Sequence, residues 1–203
     1  MTSKKMATYA MLVAITIILA ITPIGMIPLP TGVSITIMHI PVIIAAILYG
    51  AKGGLALGLA FGLAGWYVAL TRAVSPIDLL FTNPLFAVVP RALFGLFTGW
   101  LATCVFSSKW KLSIKAGIVG FVGSLIHSIL VLGFLFLFAL IDFAGMTILE
   151  AMAQYFYVLV GAISINVIIE AAVAMLVSIA LAHALLQINV LNKQKENIKS
   201  SDN

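Results

Sequence analysis

Long apolar runs, bounded by lysines or by Pro/Gly breaks, constrain this chain more than any motif in it. Inside a bilayer the backbone has to satisfy its own hydrogen bonds, which leaves helices or a closed barrel. Barrel strands show short alternating segments separated by turns, whereas uninterrupted runs read as helices. Composition agrees. Of the 203 residues, 63% are hydrophobic and 8% charged, against roughly a quarter charged in an average soluble domain. A soluble enzyme, a nucleic-acid binder and a disordered chain all fit poorly. The formal charge of +5 is better explained by topology than by nucleic acid, because the basic residues sit at helix ends.

A span needs about 20 mostly apolar residues. Division at charges and breaks gives six: 6–27, a short second run at 38–49, then 54–71, 80–106, 114–141 and 152–186. With the N-terminus cytoplasmic, the inner segments hold Lys4, Lys5, Lys52, Lys109, Lys111, Lys115, Lys193, Lys195 and Lys199. The outer segments hold Arg72, with Asp78, Asp142 and Glu150. This asymmetry follows the positive-inside rule only for an even number of spans. The expectation is an all-α bundle of six transmembrane helices in one domain, 1–188, with both termini cytoplasmic. A polar tail, 189–203, is expected to fray. The first run reads as a permanent span rather than a cleaved signal, and the single cysteine, Cys104, has no disulfide partner.

The first outer segment, Ile27 to Ile37, carries Pro28, Pro30 and Gly32. It reads either as a plain turn or as a lid over an outward-facing pocket, since irregular backbone near membrane depth must be buried or line a cavity. A second irregular stretch, Ala73 to Pro84, lies on the same side. Gly54, Gly58 and Gly62, then Gly95 and Gly99, then Gly117, Gly120 and Gly123 are small-residue faces that let helices approach closely. Ala10 and Ala14, near the cytoplasmic end of the first span, form an Ala-x-x-x-Ala face suited to docking another membrane protein.

Ionisable groups inside a bilayer are expensive and therefore the first functional candidates. Arg91 offers a planar fork for a carboxylate or phosphate; its alternative is an internal salt bridge with Glu170. His127, with Ser124 and Ser128 on its face, reads as a ligand contact or an interhelical hydrogen bond. Asn166 and Glu170 stand one turn apart and read as interhelical glue or as ligand contacts. Asn83 opens the fourth span, and Trp66 and Tyr67 are either an aromatic pocket wall or an interfacial belt. Other chemistries are absent from the sequence: Gly50-Ala51-Lys52-Gly53 lacks the spacing of a phosphate-binding loop, and no nucleophile–base pair or His-Glu-x-x-His run is legible.

These features resemble a family. The stretch from Pro28 to Gly50, PLPTGVSITIMHIPVIIAAILYG, together with Asn83-Pro84, Val89-Pro90-Arg91, Gly95 and Ala10-x-x-x-Ala14, is similar to the substrate-binding S component of energy-coupling factor (ECF) vitamin transporters. The likeness runs from about Lys5 to Leu186. It implies a multi-pass receptor of the bacterial cell membrane with no enzymatic activity and no cofactor of its own. It further implies that the chain captures a vitamin beneath the first outer loop and docks through Ala10 and Ala14 on a transmembrane coupling protein. Two cytoplasmic ATPases, using ATP and Mg, complete the assembly. The pantothenate branch looks nearest, with Arg91 on the carboxylate and Asn83, His127 and Asn166 on amide and hydroxyl groups. Trp66, Tyr67, Glu170, Thr36 and His39 complete the expected ligand set. A hydroxymethylpyrimidine receptor is the nearest alternative. A stand-alone proton- or sodium-driven carrier coupled through Glu170 is the alternative from another class.

Overall fold

The computed structural model describes residues 3–28, 34–72, 81–141 and 166–201. Among them are five helices: α1 (Ser3–Ile21), α2 (Ile40–Arg72), α3 (Pro84–Phe106), α4 (Leu112–Ile141) and α5 (Asn166–Ser201). Between α1 and α2 come a short 3-10 turn, Pro23–Gly25, and two strands, β1 (Met26–Pro28) and β2 (Ser34–Thr36). Four helical stretches are long and apolar enough to cross a membrane: Ile40–Arg72, Pro84–Phe106, Leu112–Phe134 and Val167–Ala184. Met6–Ile21 is a shorter apolar helix. The expected loop tip with Pro30 and Gly32, the acidic residues Asp78, Asp142 and Glu150, and the start of the last expected span lie outside the described residues.

Helix ends differ from the runs of apolar sequence, for local reasons. α1 stops at Ile21 instead of reaching 27, because Thr22 precedes Pro23 and the residue before a proline is pushed out of helical geometry. Arg72 at the end of α2 donates from Nη1 to the Ile21 carbonyl at 2.7 Å, covering one of the acceptors that a helix leaves open at its C-terminus. After Pro23 two three-residue strands interrupt the otherwise helical architecture. β1 and β2 pair antiparallel with Met26 opposite Thr36 and Pro28 opposite Ser34. α5 runs on to Ser201; the Lys, Gln and Glu residues of its last turns are good helix formers even where they are polar.

The expected second and third spans are the two arms of α2. Gly50, at φ 64° and ψ −153°, is the one non-helical residue within it, a conformation open to glycine because it has no Cβ. The chain doubles back there. Gly53 lies beside the Ala45 carbonyl and Gly54 beside the Ala46 methyl, pairs that a straight helix would hold about 12 Å apart along its axis. Both arms pack on α3, in opposite directions. Along the first arm, His39 meets Phe94 and Ile43 approaches Thr98 around Gly123. Along the second, Gly54 meets Gly95, Gly58 meets Arg91 and Gly62 meets Val88.

The contacts define two ends of the bundle. At one, Tyr9 stacks on Tyr49 with centroids 4.4 Å apart. There too Lys115 Nζ donates to the Phe106 carbonyl at 3.1 Å, and Ser113 Oγ bonds His183 Nε2 at 2.6 Å. Lys52, Lys109 and Lys111 belong to this end. At the other stand the Ile21–Arg72 bond, the β-hairpin and the start of α3. Between them Val42, Ile43, Leu57, Phe94 and Val119 are fully buried, while Leu85, Trp100, Ile129 and Leu176 are more than 60% exposed. Large apolar side chains facing outward are costly in water and favourable in lipid.

The α2–α3 seam rests on missing side chains. A Cβ on Gly58 would run into the Arg91 carbonyl, whereas one on Gly65 meets nothing within 4 Å. Gly58→Ala is therefore expected to destabilise the protein by about 1–3 kcal/mol, and Gly65→Ala to stabilise it by about 0.5–1 kcal/mol. Thermal unfolding in detergent checks the opposite signs.

Candidate functional site

Pro90 lies inside α3 and is buried. Having no N–H, it leaves the Phe86 carbonyl one turn back without its helical donor. The next residue supplies one: Arg91 Nη1 donates to that carbonyl at 2.7 Å. A guanidinium carries five N–H donors in a fixed fork, so this bond leaves most of the fork for other partners. The cation lies 4.5 Å from the Phe81 ring centroid and 5.9 Å from that of Phe61, distances at which the ring faces attract it.

Phe61 also links Arg91 to the histidines. Its ring centroid is 5.7 Å from that of His127. His127 stacks on His39 at 5.0 Å with the planes 7° apart, and Phe94 closes the cluster edge-on, 5.0 Å from His127. His39 is fixed by its backbone at the start of α2, where its carbonyl accepts from Val42 and Ile43 at 3.1 and 3.2 Å. Both imidazoles are buried. Their four ring nitrogens make no hydrogen bond of good geometry among the described residues, although the Thr36 backbone stands beside His39. The hydroxyls of Thr98 and Ser124, both fully buried, are likewise without partners. One face of α3 thus presents Arg91, Phe94 and Thr98 at offsets of three and seven residues, and α4 answers with Ser124 and His127.

An unpartnered buried donor or acceptor costs about 1–3 kcal/mol, and native proteins keep few of them. Six such atoms together, walled by phenyl rings and flanked by a cation, form a buried polar cluster, termed the recess, whose chemistry suits a small molecule with a negative group, polar atoms and some apolar surface. Among the described residues no group of three or more His, Cys, Asp or Glu side chains stands ready for a metal ion.

The structure brings Arg91, His39 and His127 together, and the other expected residues make the following contacts. Asn83 is the N-cap of α3: its Oδ1 accepts from the Leu85 N–H at 3.0 Å. Trp66 Nε1 donates to the Thr82 carbonyl at 2.8 Å, tying the second arm of α2 to the entry of α3. Tyr67 is 59% exposed and lines an apolar groove of about 560 Å³ with Ile17, Ile21, Ala60, Leu63 and Ala64. No Arg91–Glu170 ion pair occurs among the described residues. Glu170 instead accepts from the Thr36 N–H at 2.6 Å. Asn166 opens α5, but its side chain lies outside what is described. Ala10 and Ala14 sit on the exposed face of α1, beside Met6, Met11 and Ile18. Sequence reasoning missed Phe61, Phe81, Phe94 and Thr98; the three-and-seven offset from Arg91 was the available signal for the last two.

Comparison with known proteins places this geometry. The family model for the substrate-specific component of ECF transporters matches residues 4–182. A pantothenic acid transporter, PanT, of Lactococcus lactis subsp. cremoris (strain MG1363) is 28% identical over 165 residues, 77% of this chain and 80% of the relative. A pantothenate transporter, PanT, of Leuconostoc mesenteroides subsp. mesenteroides is 34% identical over 114 residues, 52% of this chain and 54% of the relative. A match over residues 4–182 spans nearly the whole apolar bundle and settles the family: the chain belongs to the substrate-specific components of ECF transporters.

Proposed function

We propose that this chain is the pantothenate-binding subunit of an ECF transporter in a bacterial cell membrane. The observation that carries the reading is the buried, stacked His39–His127 pair, whose ring nitrogens make no hydrogen bond of good geometry among the described residues, set between phenyl rings and within one ring of Arg91. Pantothenate has one carboxylate, an amide, hydroxyl groups and a compact apolar centre. Arg91 takes the carboxylate, the imidazoles and the Thr98 and Ser124 hydroxyls take the amide and hydroxyl groups, and Phe61 and Phe94 take the apolar centre. The names of the two relatives support the choice of ligand.

The lysine-bearing end faces the cytoplasm, in keeping with the positive-inside rule, and the two arms of α2 act as separate spans in a six-helix bundle with both termini inside. The β-hairpin lies at the opposite, outer end and covers the recess. The exposed Ala10–Ala14 face lets a transmembrane coupling protein approach closely, and two cytoplasmic ATPases supply the work. Assembly is expected to fail in Ala14→Trp, with ligand binding by the isolated chain unchanged; co-purification and titration check the two halves.

Two binding predictions follow the chemistry of the recess. Arg91→Ala is expected to weaken pantothenate binding about 10- to 100-fold, the worth of a hydrogen-bonded charge, measured by titration calorimetry on a variant that elutes as a folded monomer. Pantothenol, which has an alcohol in place of the carboxylate, should bind both forms alike. Equal affinity of the two forms for pantothenate rejects the clamp, and tighter binding of hydroxymethylpyrimidine than of pantothenate rejects the substrate. His127→Phe keeps the ring packing and removes two unpartnered nitrogens. It is expected to stabilise the ligand-free protein by about 1–3 kcal/mol in thermal unfolding, while pantothenate binding is lost.

A further inference from the structure

The β-hairpin presents an unusual edge. Ile37 N–H donates to the Gly25 carbonyl at 3.1 Å, so the inner edge of this segment faces β1. Backbone N–H groups alternate along a strand. The Thr36 N–H therefore points to the open edge, where a two-stranded sheet has no third strand to accept it. Glu170 Oε1 accepts it at 2.6 Å, from α5 and 134 residues further along the chain. Glu170 is itself 8% exposed, so a carboxylate is held within the bundle to satisfy one amide of the hairpin.

That amide is three residues from His39. The backbone between them is short and turned, with Ile40 N–H on the Ile37 carbonyl at 3.1 Å, and little slack separates the tethered point from the stacked imidazole. Hydrogen bonds to a charged acceptor are the stronger kind, and among the described residues this one ties the hairpin to α5.

Resting on the reading that the histidine recess binds a ligand, we propose that Glu170 is a positioning residue: its carboxylate clasps the free edge of the hairpin to α5. The clasp places His39 over His127 and sets how often the hairpin uncovers the recess. Glu170 holds the cover and does not touch the ligand. Glu170 was a candidate ligand contact and a candidate ion-coupling group by sequence; the Thr36 bond gives the carboxylate a different task.

Hydrogen–deuterium exchange on the full chain in nanodiscs, with no ligand present, tests the clasp directly. Glu170→Ala is expected to speed exchange over residues 34–39 about tenfold, Glu170→Gln to speed it less, and the buried parts of α3 and α4 to exchange as before. Unchanged exchange over 34–39 in Glu170→Ala overturns the proposal, whatever ligand the protein takes. Stopped-flow binding of pantothenate then separates cover from contact. Association and dissociation are both expected to quicken about tenfold in Glu170→Ala, so that Kd moves less than either rate. A faster dissociation with unchanged association assigns Glu170 to the ligand and overturns the proposal. Absence of any pantothenate signal in the unaltered protein rejects the substrate reading alone, and the exchange arm still decides the clasp.

Discussion

Backbone hydrogen bonds that are lost within a bilayer find no water to replace them, and at four described departures from regular helix a particular group answers. Pro90 removes a donor from α3, and the guanidinium of Arg91 supplies one. α1 ends ahead of Pro23, and Arg72 reaches back to the Ile21 carbonyl. α3 begins with open amides, and the Asn83 side chain takes one of them. The hairpin exposes an edge amide, and Glu170 takes that. Three of the intramembrane or membrane-edge polar groups that first attract attention as functional are thus occupied, at least in part, in completing the backbone.

Against that economy the histidine recess stands out. Among the described residues His39, His127, Thr98 and Ser124 are buried and leave their polar side-chain atoms without partners, while the Thr36 amide draws its partner from 134 residues away. Binding sites commonly carry such local instability, because groups held ready for a ligand cannot also satisfy one another. The surrounding phenyl rings bury this cluster at the expense of the ligand-free protein's stability. A transport receptor that must capture and later release its cargo gains from a ligand-free state that is not too comfortable.

Four apolar helical stretches were legible because a bilayer demands long apolar runs, and the break at Gly50 falls just after the short second run. Arg91 and His127 were legible because polar groups are rare there. Asn83 carries a second reading: Asn-Pro at the head of an apolar run is also an N-cap followed by proline at the first turn, and Asn83 caps α3 in that way. The expected Arg91–Glu170 attraction took no account of Pro90, whose missing N–H creates a nearer acceptor for the arginine. Strand pairing at 26–36 was not legible, since three-residue strands are too short to show alternation. Phe61 and Phe94 were hidden for a different reason, as twelve phenylalanines in an apolar chain carry no contrast.

The seam between α2 and α3 has a consequence for how this protein can change. Gly58 packs against the main chain of Arg91, the residue whose side chain enters the recess, and Gly54 and Gly62 grip α3 one turn to either side. The same helix face that fixes how closely two backbones approach also fixes where a cation stands relative to the imidazoles. Scaffold and recognition therefore share one set of coordinates. Relatives that drift to a different cargo have less freedom to exchange pocket side chains alone than to shift α3 as a unit, carrying its glycine contacts with it.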